Sequence, residues 1–252
     1  MATRTHFHRS RFITLLSELV AIDGGGAPDA FAEKLGQWIP IADAISLRAS
    51  HNAPAQDAVE AGNSSPLLST LNAEFQRTRS TVEGAITKGD APRASGAKTS
   101  IPIPQRGTPP ELAGAYEPFR RYYVAHQRDM DLKAKPLRSR VRDAAARGTP
   151  ALRQLAALDA AFDGILFERE AMLLAKVPSL LEKRFKQLRR AHQDALDAAQ
   201  QEDSTALWLQ PGGWMTRFCQ EMQAVLLAEW ELRLQPVMGL LEALHNDNTK
   251  PI

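Results

Sequence analysis

Cysteine is nearly absent. Cys219 is the only one in 252 residues, which excludes an intramolecular disulfide and any zinc module built on paired thiolates. Aromatic residues are scarce as well, at 6%. Valine and isoleucine are few, and no alternating apolar run is long enough to argue for a strand. No stretch approaches the ~20 consecutive apolar residues that a bilayer span requires. The apolar run from Phe12 to Ile22 follows a basic N-terminus but is interrupted by Ser17 and Glu18 and has no small-residue cleavage site. It reads as an amphipathic helix rather than a signal peptide. A cytoplasmic protein, not inserted in a membrane, is expected. Charge of one sign is lacking too: 31 Lys and Arg stand against 29 Asp and Glu, a net +2, too little by itself to argue for nucleic acid.

What is present favours helices. Hydrophobic residues make up 44% and charged residues 24%, a globular mixture. Ala, Leu, Arg, Glu and Gln are abundant, and unbranched side chains of this kind lose little rotamer freedom on a helix. Phe12, Leu15, Leu16, Leu19 and Val20 recur on one face of a helix over about 9–23, which the three glycines at 24–26 end. Further helices are expected over 28–40 and 41–48, with a loop over 50–64. Ser65-Pro66 is a favourable N-terminal pair. It opens a segment in which Leu68, Leu71, Phe75, Thr78, Val82 and Ala85 keep coiled-coil spacing, weakly at Thr78 and Ala85.

Residues 89–107 are rich in Gly, Pro and Ser and read as a flexible, protease-sensitive linker. Thr108-Pro109-Pro110-Glu111 has the form of a capping box. Long helical segments follow over 117–147, 151–200 and 214–244, carrying Pro136, Pro178 and Pro236 as kinks or breaks. The expected fold is all-α, an elongated antiparallel bundle of kinked helices with a smaller helical N-terminal part. The expected organisation is 1–88, a linker 89–107, and a long-helix bundle 108–252.

No catalytic, metal-binding or cofactor-binding set stands out. Gly96-Ala97-Lys98-Thr99 resembles a phosphate loop only superficially, since Ala97 replaces the glycine before the lysine and no strand precedes it. His6 and His8 lack a third ligand nearby. His126 and Asp129 lie a helical turn apart without a nucleophile beside them. No enzyme activity and no cofactor are expected.

Charge and apolar patterning suggest surfaces instead. Residues 117–147 hold nine basic side chains against four acidic ones, whereas 202–252 hold seven acidic and three basic. Arg120, Arg121, Arg138, Arg140, Arg142, Arg184, Arg189 and Arg190 form a candidate basic band for a polyanion. The competing and favoured reading is that acidic residues of the last helix offset them. That last helix is apolar over more than one face, so it is either central to the fold, the default reading, or shared with another chain, the serious rival. Trp214, Phe218, Trp230 and Leu234 are its candidate interaction residues. A protein partner, a second copy included, is expected ahead of nucleic acid.

The blocks FAEKLGQWIPIADAISL, RSRVRDAAARGTPALRQLAALDAAFDGIL, LLAKVPSLLEKRFKQLR and RFCQEMQAVLLAEWELRLQPVMGLLEAL resemble an uncharacterised proteobacterial helical family, from the first helices to Leu244. Its members look like the accessory cytoplasmic protein encoded beside a MotA-like and OmpA-like membrane pair in type III Zorya anti-phage systems. The resemblance implies a defence role alongside a membrane motor. It brings no active-site residues, because the blocks contain no catalytic motif.

Overall fold

The structure, a computed structural model, describes residues 11–21, 65–92, 98–105 and 108–249. The helices expected between 28 and 48, the loop 50–64 and the histidines at 6 and 8 lie outside these residues. Among those described, the chain is all-α apart from one short antiparallel strand pair. The helices are α1 (Arg11–Ala21), α2 (Ser65–Lys88), α3 (Pro110–Ala113), α4 (Glu117–Ala145), α5 (Pro150–Leu174), α6 (Val177–Ala199), α7 (Thr205–Trp208) and α8 (Trp214–Asn248). The strands are β1 (Asp90–Pro92) and β2 (Lys98–Ser100).

Helix punctuation follows local chemistry. α2 starts at Ser65 with Pro66 next, where the missing N–H of proline costs nothing. α5 opens at Pro150 directly after Gly148-Thr149. The third long segment is broken rather than bent. α5 ends at Leu174, and α6 begins at Val177 with Pro178 in its first turn, the one helical place proline tolerates. Pro136 and Pro236 do lie inside helices, α4 and α8, each leaving the carbonyl four residues back without its usual donor.

Two sequence expectations need correcting. The stretch around Thr108 makes only the one-turn α3, which has Pro109 rather than Thr108 at its cap position and no side-chain cap bond. Part of the segment read as linker is structured: Asp90 pairs with Ser100, Ala91 with Thr99 and Pro92 with Lys98. Three-residue strands carry no alternation long enough to be read from sequence. Lys98-Thr99 thus sits on a strand rather than ahead of a helix, and the phosphate-loop likeness ends there.

Two compact units emerge, and they are interleaved along the chain. One comprises Met1–Gly25, Gly84–Arg128 and Lys176–Leu232; the other comprises Gly26–Glu83, Asp129–Ala175 and Arg233–Ile252. This grouping follows side-to-side packing, whereas the sequence division at 88 and 107 follows composition along the chain. In the first unit, α1 packs on α6. Phe119, Leu181, Phe185, Trp208, Met215, Phe218 and Leu226 form its buried interior. In the second, Leu71, Phe75, Met130, Leu137, Val141, Val237 and Leu240 do the same.

Candidate functional site

The last helix is a core element. Trp214, Phe218, Trp230 and Leu234 are all buried within the chain, and no residue from Val225 to Trp230 is exposed. Of the two readings of a helix apolar nearly all round, their placement is that of the central helix, surrounded by its own chain. In the first unit an aromatic cluster explains part of this burial. Phe185 meets Trp214 at 5.1 Å and Phe218 at 5.0 Å, both edge-on. Phe119 meets Phe218 at 5.3 Å in the same manner, the arrangement ring quadrupoles prefer. Tyr116 joins the cluster and donates from its hydroxyl to the Pro178 carbonyl at 2.6 Å. Burial pushes the Tyr116 hydroxyl well above its ordinary range.

A carboxylate lies inside this apolar interior. Glu229 is fully buried, and its Oε2 accepts the Tyr123 hydroxyl at 2.6 Å while Gln127 Nε2 donates to the same carboxylate at 3.1 Å. Sequence reasoning missed it, although an acid flanked by Ala228 and Trp230 in an apolar run was a signal. His126 is likewise buried, with its ring edge-on to Tyr122 at 4.8 Å. Asp129 is taken by Lys133 one turn on.

Most of the basic band resolves into ion pairs. Arg138 and Arg142 on α4 each bind both Asp159 and Asp163 on α5, with closest approaches of 2.6–2.7 Å. Arg140 pairs with Glu74 on α2. Arg184 makes a two-pronged contact with Glu221 of α8, 2.7 Å on each side. Arg120 and Arg121 share Glu117 on their own helix. Arg189 donates to the Gly114 carbonyl at 2.8 Å, and Arg190 is exposed on α6.

The offsetting of charge expected from the last helix therefore holds for Arg184, but α5 and α2 supply the counter-charges for the middle of the band. The signal was present in the sequence. Two arginines four apart and two aspartates four apart sit on helices joined by a short Gly-Thr-Pro connection, so the two faces can meet.

Glu221 shows how strongly such a pair acts. Burial alone would raise its carboxyl, yet hydrogen bonds from Arg184 and Arg217 outweigh that and hold it below the usual carboxylate range. Cys219 has no such help, and burial pushes its thiol up to about 12.

In the second unit several large apolar side chains are exposed: Leu132 on α4, 75% exposed, and a group on α5. Leu155, Phe162, Phe167, Met172 and Leu173 are all exposed, and Met172 keeps 61% of its surface. Between Ala156 and Leu174 no residue of α5 is buried. Ala160, Ala161, Gly164, Ile165, Glu168, Arg169 and Met172 line a shallow open depression of about 570 Å³. Among the described residues there is no group of three or more side chains able to hold a metal ion. None of the described helices is long and apolar enough to cross a membrane.

Over residues 1–246 the chain matches the family described as "Protein of unknown function (DUF3348)". No curated protein and no solved structure matches it. A match of that length leaves out only the last residues, and the chain accordingly belongs to the DUF3348 family, an uncharacterised family.

Proposed function

We propose that this chain is a non-enzymatic helical interaction protein that works by binding other proteins. The observation that supports this reading is α5, on which Leu155, Phe162, Phe167, Met172 and Leu173 remain exposed, Leu155, Phe162 and Leu173 at the spacing of one helical face. Apolar side chains gathered on one element, rather than scattered singly, mark protein-binding surfaces. The setting we propose is the one implied by the sequence resemblance: an accessory component of a Zorya-type anti-phage system, acting with a MotA/OmpA-like membrane motor in the cytoplasm of a proteobacterium. The rival is a nucleic-acid-binding role for the basic bands at 120–147 and 183–190. It draws support from Lys183, Lys186 and Arg190, which are exposed on α6, Lys186 beside Glu182 at 2.6 Å.

The test is a pull-down of the tagged chain with the products of adjacent genes, run beside the Phe162→Asp, Met172→Asp double variant. Both positions are on the surface, so the variant is expected to keep its circular dichroism and melting temperature while losing the partner. Capture of no neighbouring product by the wild type, together with DNA binding that weakens steeply with salt, would replace this reading with the rival one. Size-exclusion chromatography with light scattering on the same pair of proteins tests whether a second copy is the partner.

A further inference from the structure

The chain passes between its two compact units five times. Four of the passages lie in described residues: Glu83 to Gly84, Arg128 to Asp129, Ala175 to Lys176 and Leu232 to Arg233. The fifth, Gly25 to Gly26, lies outside them. Each of the four falls at or beside a weak point in the helical backbone. In α8, Pro236 has no N–H to give to the carbonyl of Leu232, the last residue before the passage. In α4, Pro136 fails Leu132 in the same way, one turn past the passage. Between α5 and α6 the helix is interrupted at the passage itself, ending at Leu174 and resuming at Val177 with Pro178 in its first turn. In α2 the passage falls at Gly84, inside the helix, where a Cβ would meet nothing within 4 Å. Space does not call for glycine there, and glycine holds a helix less firmly than any residue but proline.

Polar contacts, by contrast, tie each unit together by itself. Glu229 with Tyr123 and Gln127, and Arg184 with Glu221, lie wholly in the first. Arg138 and Arg142 with Asp159 and Asp163, and Arg233 with Asp131, lie wholly in the second. Arg233 and Asp131 both stand within one turn of a passage, and still they bind inside their own unit.

We propose that these weak points are hinges at which the two units change orientation as bodies. α4 flexes at Leu132–Pro136, α8 at Leu232–Pro236, α5 and α6 at their junction, and α2 at Gly84. Proline kinks a helix because one backbone bond is missing and its ring crowds the carbonyl left behind. Domain hinges are a few residues of this sort, at element ends or breaks. One weak point beside a passage would be ordinary; one at each of the four is a pattern that packing inside the units does not require. Flexing leaves both interiors packed, so it is not partial unfolding.

Residual dipolar couplings of the full ¹⁵N-labelled chain in a dilute aligned medium test this. Rigidly joined units share one degree of alignment, whereas units that reorient acquire different ones. The wild type is expected to show one value for 84–128 with 176–232 and another for 65–83 with 129–175 and 233–249. Pro136→Ala with Pro236→Ala restores both donors, at an exposed and a half-buried position, and should lose most of that difference. Its new amides at 136 and 236 should be protected from hydrogen exchange, reporting that both bonds have closed. A common degree of alignment in the wild type overturns the hinges. So does a difference that persists in the variant, and so do amides at 136 and 236 that exchange freely. Should the double variant not fold, Gly84→Ala takes its place, and a difference that it leaves unreduced overturns the proposal.

Discussion

Burial and pairing push individual titratable groups in opposite directions, and each push can be measured. Cys219 is buried, and its thiol is raised to about 12. Only the thiolate reacts, so a colorimetric thiol reagent at pH 8 should leave the native protein unmodified and titrate one thiol per chain in urea. Rapid native labelling would show that the packing around Cys219 opens. Glu221 illustrates the opposite case, its carboxyl held low by Arg184 and Arg217 against the effect of burial. A carboxylate depressed in the folded state stabilises the fold fully above its unfolded value and loses that contribution as pH falls through the folded one. The stability gap between wild type and Glu221→Gln, read from urea midpoints, should therefore be constant above about pH 5 and shrink below about pH 4. A gap independent of pH would mean that the side chain matters through packing alone.

Between elements, the decisive contact is the Arg138–Arg142–Asp159–Asp163 cluster joining α4 to α5. Read as a surface band, it should tolerate charge reversal; read as a four-member network, it should not. Arg138→Glu with Arg142→Glu would set four carboxylates against one another and should lower the melting temperature sharply. Asp159→Ala, which strips a partner from both arginines at a side chain only 11% exposed, should cost about 1–3 kcal/mol. Asp163→Ala, at 38% exposure, should cost less. Equal losses at the two aspartates would indicate that exposure does not govern this network.

The same cluster shows where sequence reasoning stops. Helix positions could be read from periodicity and punctuation, as at Ser65-Pro66, Gly148-Thr149-Pro150 and Trp214, because capping and proline geometry are local. Which arginine meets which aspartate depends on how one helix is rotated against the next, and no short-range rule encodes that. Likewise Trp214, Phe218, Trp230 and Leu234 are legible as apolar, but the sequence leaves burial in the chain's own core and a surface shared with another chain as alternatives. What surrounds a helix is a property of the other helices.

For the whole molecule, the helices matter more than the units they serve. α2, α4 and α8 each supply residues to both compact units. Undoing one unit while keeping the other would require cutting three helices in mid-course. Every such cut creates new ends with up to four unpaired N–H and four unpaired C=O groups, and the shorter pieces of α2 and α4, 84–88 and 117–128, fall at or below the ~12–15 residues under which isolated helices are marginal in water. A half-melted species is thus penalised on both sides of the boundary. Differential scanning calorimetry should record one transition whose van't Hoff and calorimetric enthalpies agree, and two resolved peaks would refute the coupling. A single transition would mean that a protein bound to α5 also stabilises the aromatic cluster around Trp214, since the two would be lost together.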